Sequence, residues 1–535
     1  MNRTLGRLRP WPEPWPAWLE LAALATAGGL QSISLVRSGA WALPWLCIAL
    51  LAWRVRRATP RWAAALGAAY ATAWLASAVW WLFISMHRYG GLPAWMAAAA
   101  VALLALLLSG YLALALAAVA RARRGKPLFD AGLFALAWLA AELARALLFT
   151  GFPWAASGYT QIDGPLAWLA PWIGVYGIGA LSALIAAGAV ELAHCRTPRP
   201  LLALGSLWLA LALGWAAGPT AFTRAAGELQ VTLLQPNVAQ DEKFASQHLP
   251  ATLQWVADAL LAATGDLVVA PETAVPMLPG QLSELAPGYW AGLQAHFAAP
   301  GRPAAMIGVP LGDPVEGYTN SVSGLDASAT AYRYDKVHLV PFGEFIPPAL
   351  RWFTEMMNIP LGDFRRGDPA APAFAVRQQR VLPNICFEDL FGEELAAHFG
   401  TPATAPTLLV NLSNIGWFGR SAAPQQHLNI SRMRTLELQR PMLRATNTGA
   451  TAIIDHQARV QASLPGFTRG VLTGKVSGRA GRTPYTVWVA WMGLWPLLWV
   501  AWLGLLWAAV IGRERGVVGE LVRGTAPGKS QGGAR

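Results

Sequence analysis

Eight apolar stretches constrain this chain more than any other feature, because most of them are long enough to cross a membrane. A hydrocarbon core about 30 Å thick needs roughly 20 apolar residues in helical form. Seven stretches precede residue 219, the second of them short: 16–36, 40–54, 62–87, 92–120, 130–150, 165–193 and 200–218. The eighth is 485–511. With 55% hydrophobic and 13% charged residues, the chain is predicted to be a membrane protein, neither disordered nor wholly soluble.

The formal net charge of +12 comes entirely from outside residues 219–484, the one long hydrophilic segment. That segment has 20 Lys and Arg against 21 Asp and Glu, a net charge of −1. The rest of the chain has 21 basic and 8 acidic residues, a net charge of +13. A nucleic-acid-binding surface needs its positive charge on the soluble part. We therefore expect no nucleic-acid partner.

The basic residues are concentrated in alternate loops, which predicts an orientation. One set of loops and tails carries most of them: Arg3, Arg7, Arg9, Arg54, Arg56, Arg57, Arg61, Arg121, Arg123, Arg124, Lys126, Arg196, Arg199, Arg513, Arg515, Arg523, Lys529 and Arg535. The other set carries only Arg37 and Arg88. By the positive-inside rule, both termini are predicted to be cytoplasmic and the long segment to face the other side.

The predicted organisation has four parts. They are a seven-helix transmembrane region (1–218), an external domain (219–484), an eighth transmembrane helix (485–511) and a cytoplasmic tail (512–535). One span holds an ionisable pair, Glu142 and Arg145, three residues apart on one helical face. A structural pair is the favoured interpretation and a transport pathway the alternative, but the other spans have almost none of the charges that an ion-coupled transporter needs.

Residues 219–484 are predicted to form one large α/β domain. Short apolar runs begin at residues 229, 266, 304, 381, 407 and 451, and helical patterns lie near 250–263, 284–297 and 427–440. This alternation favours a layered architecture whose strands are buried on both faces. Neither a metal-ligand spacing nor a glycine-rich phosphate loop occurs, so we expect no metal and no cofactor.

Glu272, Lys336 and Cys386 are the candidate catalytic residues of this domain. Glu272 follows an apolar run in VVAPETAVP, Lys336 lies in YRYDKVHLVPFGEF, and Cys386 ends a run in LPNICFEDLF. Each residue alone has an ordinary structural interpretation. Together they would supply a thiol nucleophile, a carboxylate base and a cation that stabilises the oxyanion of an acyl-transfer intermediate.

The surroundings of these three residues resemble the nitrilase, or carbon–nitrogen hydrolase, superfamily. With its eight spans, the whole chain resembles the apolipoprotein N-acyltransferase family of the bacterial inner membrane. The matching segments are GFPWAASGYTQIDGPL from 151, LLQPNVAQ from 233, APETAVP from 270, KVHLVPFGEFIP from 336, ICFEDLF from 385, NLSNIGWFG from 411 and QHLNISRMRTLELQRPMLRATNTGATAII from 426. The resemblance implies an eight-helix transmembrane bundle with a periplasmic, nitrilase-like α/β sandwich.

The resemblance also implies a reaction. Cys386 would take an acyl chain from a phospholipid, with phosphatidylethanolamine as the expected donor, and hold it as a thioester. The N-terminal α-amino group of a diacylated apolipoprotein would then accept the chain. Glu272 matches the general base and Lys336 the oxyanion-stabilising cation. The implied supporting positions are Glu344, Glu388 and the backbone N–H of Phe387.

Several aromatic residues are predicted to contact the substrates: Phe244, Phe342, Phe345, Trp417 and Phe418. The apolar residues after Lys336 would form a lipid-facing lid or entrance, with ordinary domain core as the alternative: Phe342, Phe345, Ile346, Trp352, Phe353, Met356 and Met357. Four positions depart from the family's common residues, and these are Phe244 and Gln425 in place of Trp, Phe387 in place of Tyr and Ile415 in place of Asp.

Two other functions stay open on the sequence alone. A membrane-tethered amidase or nitrilase would use the same three residues with water as the acceptor, but it would not need the matching segment at 151–166. A non-catalytic scaffold or transporter would not need an intact Glu272, Lys336 and Cys386. The chain is expected to be a monomer, since no oligomerisation feature stands out.

Overall fold

The computed structural model describes residues 15–195, 198–218, 220–313, 317–328, 331–345 and 364–508. Within them, six helical segments are long and apolar enough to cross a membrane: Ala17–Val36, Ser38–Val55, Pro60–Val79, Ala94–Ala122, Pro127–Thr150 and Ala167–Ala193. Their regular helices are α1 (Ala17–Gln31), α2 (Leu43–Val55), α3 (Pro60–Val79), α4 (Ala94–Ala122), α5 (Pro127–Leu147) and α6 (Ala170–Ala193). The first six predicted spans are therefore confirmed as apolar helices.

The predicted seventh and eighth spans differ from the other six. Helix α7 (Pro198–Ala217) is regular, but only its shorter part, Gly205–Ala217, is sufficiently apolar. The predicted continuous helix 485–511 is wrong, because two helices, Pro484–Met492 and Trp495–Ala508, meet there at 82°. Gly493 takes φ +54 at the break, and Pro496, in the first turn of the second helix, has no N–H to continue the first.

Charged side chains join the helices at one end of the bundle. Arg54 on α2 lies 2.7 Å from Glu20 on α1, and Arg56 lies 2.8 Å from Glu191 at the end of α6. Near the C-terminal end of α5, Glu142 accepts a hydrogen bond from the main-chain N–H of Ser157 at 2.6 Å and lies 3.5 Å from Arg145. Those contacts fit the structural interpretation of the Glu142–Arg145 pair.

The α/β part contains twelve strands among the residues described, arranged in two six-stranded sheets. The strands are β1 (Thr223–Gln235), β2 (Leu267–Ala270), β3 (Ala304–Asp313), β4 (Gly317–Leu325), β5 (Tyr332–Asp335), β6 (Phe374–Val376), β7 (Gln379–Ile385), β8 (Leu408–Ser413), β9 (Met442–Thr446), β10 (Ala452–Ile454), β11 (Val460–Ser463) and β12 (Gly470–Gly481). The sheet orders are β12-β1-β2-β3-β4-β5 and β11-β10-β9-β8-β7-β6. The neighbours β1–β2–β3 and β7–β8–β9 are parallel, and the outer pairs are antiparallel.

Helices cover the outer faces of the two sheets, which confirms the predicted layered α/β architecture. They are α8 (Leu249–Leu261), α9 (Pro279–Leu285), α10 (Tyr289–Ala298), α11 (Gly392–Ala397) and α12 (Ala423–Leu438). The inner faces pack on each other through buried residues such as Val269, Met306, Val410 and Leu443. Because strands such as β2 and β3 are covered on both faces, their sequences are nearly continuous apolar runs.

The sandwich packs directly on the helical bundle. Phe387, Phe391 and Met433 of the sandwich belong to the same buried hydrophobic cluster as Trp154 and the bundle helices. The turn that follows β7 is therefore held against the membrane part of the protein.

Gly28 offers a test of the bundle packing. A Cβ atom at Gly28 would overlap the main-chain carbonyl of Tyr70 on α3, whereas one at Gly132 on α5 would meet nothing within 4 Å. We expect Gly28→Ala to destabilise the protein by about 1–3 kcal/mol, because α1 and α3 must move apart. Thermal unfolding in detergent, with Gly132→Ala as the matched control, checks this. Equal unfolding temperatures for the two variants would contradict the close helix contact.

Candidate active site

Cys386 lies directly after β7, as the first residue of the 3₁₀ turn Cys386–Leu390. Its φ is +52, a conformation that non-glycine residues adopt at a cost of order 1 kcal/mol. The side chain is half-buried. The main-chain carbonyl accepts a hydrogen bond from Nδ2 of Asn411 at 3.3 Å. A sharp, strained turn at the end of a buried strand thus presents the thiol.

Glu272 follows β2 in the other sheet and is buried. Its Oε1 accepts a hydrogen bond from Nδ2 of Asn320 at 2.8 Å, and its Oε2 accepts one from the main-chain N–H of Asn414 at 2.7 Å. Gly308 on β3 permits this placement, because a Cβ there would overlap the main chain at Pro271. Both carboxylate oxygens therefore have fixed donors.

Lys336 follows β5 and is completely buried. Its Nζ donates to Glu344 at 2.9 Å and lies 3.6 Å from Oε1 of Glu272. Burial by itself lowers the pKa of Lys336, but the carboxylates of Glu344 and Glu272 outweigh burial and raise the pKa above its ordinary value. The side chain is therefore an ammonium ion held between two carboxylates.

Glu344 is oriented from both sides of its carboxylate. Its Oε2 accepts a hydrogen bond from the Val340 main chain at 2.8 Å, and its Oε1 accepts one from Nδ2 of Asn320 at 2.7 Å. Because Asn320 donates to both Glu272 and Glu344, one amide fixes the two carboxylates that flank the Lys336 ammonium.

The carboxylate of Glu388, two residues after Cys386, accepts hydrogen bonds from main-chain N–H groups. Its Oε1 accepts from the N–H groups of Val337 at 2.6 Å and His338 at 3.2 Å, and its Oε2 accepts from Ile385 at 2.6 Å. Burial raises the pKa of Glu388 to about 7. The carboxylate joins the segment after Lys336 to the turn that carries Cys386, so it acts on the site through its neighbours.

The thiol of Cys386 is electrostatically coupled to the other two candidate residues. Burial, together with the charge of Glu272, raises the pKa of Cys386 to about 12, although Lys336 acts in the opposite direction. The thiol is therefore protonated at rest at pH 7. A base must take the proton as the sulfur attacks, and the structure brings a carboxylate into the same cluster.

The predicted substrate-contact residues lie in two different settings. Phe342 and Phe345 flank Glu344, and the N–H of Phe342 donates to the carbonyl of Phe345 at 2.9 Å. Phe244 is 37% exposed on the loop before α8. The other predicted lid residues lie outside the residues that the structure describes, namely Ile346, Trp352, Phe353, Met356 and Met357.

Other aromatic residues join the sandwich to the helical bundle. The ring of Phe418 lies 4.2 Å from that of Trp81, and Trp417 lies 5.8 Å from Tyr89. Phe387 is buried beside His338, at 5.7 Å between ring centroids. These side chains sit where the two parts of the protein meet.

Three residues of this cluster were missed at the sequence level: Asn320, Asn414 and Lys243. The Nζ of Lys243 donates to the main-chain carbonyl of Glu272 at 3.1 Å and to the Thr273 hydroxyl. Burial lowers the pKa of Lys243 to about 8, with the charges of Glu272 and Cys386 opposing this. A single asparagine in a strand, or a lysine in a polar loop, carries no sequence signal of such contacts.

Comparison with known proteins extends this picture to the whole chain. Residues 27–188 match the family model described as the apolipoprotein N-acyltransferase N-terminal domain, and residues 230–485 match the one described as carbon–nitrogen hydrolase. A solved carbon–nitrogen hydrolase superfamily protein from Xanthomonas campestris is 18% identical with a TM-score of 0.33, over 47% of this chain and 91% of that one.

Two curated relatives are similar over nearly their full length. A protein named apolipoprotein N-acyltransferase from Verminephrobacter eiseniae is 50% identical, over 94% of this chain and 97% of that protein. One of the same name from Ralstonia nicotianae is 45% identical, over 87% of this chain and 88% of that protein. With these identities and both family matches, the chain belongs to the apolipoprotein N-acyltransferase family.

Proposed function

We propose that this enzyme transfers an acyl chain from a phospholipid to the N-terminal α-amino group of a diacylated apolipoprotein, through a thioester on Cys386. The main support for this proposal is the buried ammonium of Lys336, which lies between Glu272 and Glu344 and is electrostatically coupled to the Cys386 thiol. A nucleophile, a base and a fixed cation are the groups that acyl transfer requires.

In the first half-reaction, Glu272 accepts the thiol proton as the sulfur of Cys386 attacks the ester carbonyl of the phospholipid. Lys336 and the N–H of Phe387 stabilise the oxyanion that forms. The intermediate collapses, the lysophospholipid leaves as an alcohol with the proton from Glu272, and the acyl chain stays on sulfur. Glu344 and Glu388 position Lys336 and the Cys386 turn.

In the second half-reaction, the apolipoprotein amine attacks the thioester carbonyl. Glu272 accepts a proton from the attacking amine, and the same donors stabilise the second oxyanion. The C–S bond breaks, and the proton returns to the sulfur of Cys386. Because one site serves both substrates in turn, the kinetics should be ping-pong.

The proposed setting is the bacterial inner membrane, with both termini in the cytoplasm and residues 219–484 in the periplasm. The count of eight spans includes α7 and treats the bent pair Pro484–Met492 and Trp495–Ala508 as one crossing. The basic loops support this orientation: Arg124 donates to the carbonyl of Ala508 at 3.1 Å, at the end of the bundle where Arg54 and Arg56 form ion pairs. The transmembrane and catalytic domains would divide at 218 and 484, with a tail from 512.

The proposed partners are a phospholipid donor and a diacylated apolipoprotein acceptor. Phosphatidylethanolamine would be the donor, and the enzyme would act as a monomer within the bilayer. Phe342 and Phe345 lie on either side of Glu344 and flank the site, which supports a role in lipid contact. Phe244 is exposed, which supports the same role for it. Trp417 and Phe418 would line the junction through which lipid reaches the thiol.

Transfer and hydrolysis can be separated with one assay. Purified protein is incubated with phosphatidylethanolamine that carries a labelled acyl chain, with and without a diacylglyceryl peptide. We expect label on the peptide, release of lysophospholipid, and loss of both with Cys386→Ala. Release of free fatty acid at the same rate with or without the peptide would instead support the amidase or nitrilase alternative.

The coupling between Glu272 and the thiol predicts an unusual pH dependence. Since the pKa of Cys386 is raised to about 12, its alkylation by iodoacetamide should keep rising with pH up to pH 10. Glu272→Gln should shift the alkylation profile to lower pH by removing a negative charge, yet slow acyl transfer by roughly 10²–10⁴ through loss of the base.

A surface thiol provides the control for this experiment. Ser283→Cys, on the exposed side of α9 in a Cys386→Ala background, should reach half of its maximal alkylation rate at about pH 8–9, the ordinary pKa range of cysteine, and level off about one pH unit higher. A Cys386 profile that levels off at the same pH, or one that Glu272→Gln leaves unchanged, would contradict the electrostatic coupling.

The proposed orientation is testable with a membrane-impermeant maleimide. In a background without Cys195 and Cys386, Ser283→Cys should react in intact spheroplasts because its domain faces outward. Lys126→Cys, exposed between α4 and α5, should react only after lysis. Reversed labelling of the two positions would contradict the assignment of the sandwich to the periplasm.

A further inference from the structure

His427 contacts the 3₁₀ turn Cys386–Leu390, called here the nucleophile turn. It lies on α12 and is completely buried. Its Nε2 is 3.1 Å from the main-chain oxygen of Cys386, and its Nδ1 is 3.2 Å from Nη2 of Arg444. The imidazole also stacks on the indole of Trp154, with ring centroids 5.6 Å apart and 22° between the planes. Both the position and the plane of the ring are therefore fixed.

Arg444 determines which ring nitrogen carries the proton. A guanidinium group can only donate hydrogen bonds, so Nδ1 of His427 must accept. The proton then lies on Nε2, which donates to the Cys386 carbonyl. Arg444 is itself held by the Asp389 carboxylate at 3.6 Å and by the Ser431 hydroxyl. Burial, together with the charge of Arg444, keeps the pKa of His427 well below its ordinary value, so the imidazole is neutral.

The carbonyl that His427 binds belongs to the same peptide unit as the N–H of Phe387. In a planar trans peptide, the C=O and N–H bonds point in opposite directions. Nδ2 of Asn411 donates to the same carbonyl at 3.3 Å. Two donors thus fix the carbonyl, which turns the Phe387 N–H away from them. Hydrogen bonds to the oxygen also polarise the peptide and strengthen its N–H as a donor.

We propose that His427, held by Arg444, is a positioning residue that orients and polarises the Cys386–Phe387 peptide as an oxyanion donor. This inference rests on the proposed function, because an oxyanion forms only if Cys386 attacks an acyl group. Trp154 lies in the segment between α5 and α6, so the membrane part of the protein contributes to the orientation of this peptide. The helical bundle then does more than anchor the sandwich.

Two amide substitutions separate this role from simple packing. His427→Gln retains an N–H donor near the place of Nε2, whereas the shorter side chain of His427→Asn does not reach the Cys386 carbonyl. Two rates are measured on the full-length protein in detergent micelles. One is thioester formation from labelled phosphatidylethanolamine, and the other is alkylation of Cys386 by iodoacetamide, which forms no oxyanion.

We expect His427→Asn to slow thioester formation by about tenfold or more and alkylation by less than about threefold, given that loss of an oxyanion donor costs about 10²–10³. His427→Gln should restore most of the thioester rate. Wild-type thioester formation in His427→Asn would overturn the inference. So would equal losses in both rates that His427→Gln does not restore, because these would indicate a packing role. Failure of the wild-type protein to form any thioester would instead contradict the proposed function.

Discussion

The burial of one ammonium ion is the constraint on which the site depends. Lys336 has no solvent contact, and an uncompensated buried charge costs several kcal/mol. Glu272 and Glu344 provide the compensation, and Asn320 holds both of them. This requirement explains why residues from separate strand ends converge. Burial and the charge of Glu272 together disfavour the thiolate of Cys386 at rest.

That charge balance suits a two-step acyl transfer. In the proposed mechanism, a neutral thiol beside a carboxylate stays unreactive until an acyl carbonyl accepts the electron pair of the sulfur and the proton moves to Glu272. The fixed cation needs no reorganisation as the oxyanion forms. The nucleophile turn also packs against the helical bundle through Phe387 and His427. The proposed reaction therefore takes place at the junction between the sandwich and the helical bundle.

Sequence patterns predicted the features that depend on continuous burial. The six apolar helices follow from long apolar stretches, and strands β1, β2, β3, β7, β8 and β10 follow from short apolar runs. The break at Gly493 was missed because the apolar composition continues across it. Strand β4 was missed because its buried side chains include Thr319, Asn320, Ser321 and Ser323, and edge strand β12 was missed because exposed residues interrupt it.

The candidate site was predicted only in part, for a related reason. Glu272, Lys336 and Cys386 combine reactive side chains with recognisable surroundings, so the sequence and its family resemblance single them out as candidates. Asn320, Lys243 and His427 gain their importance from partners more than 15 positions away along the chain, and no local pattern encodes those contacts. The environment that sets the thiol pKa likewise exists only in the folded protein.

The most direct test of the account is to locate the acyl group. After incubation with phosphatidylethanolamine of defined chain length, the protein is digested and its peptides are analysed by mass spectrometry. We expect the peptide containing Cys386 to gain the mass of that acyl chain and to lose it on treatment with hydroxylamine. An acyl group on any other residue, or an unmodified Cys386 in protein that still transfers the chain, would contradict it.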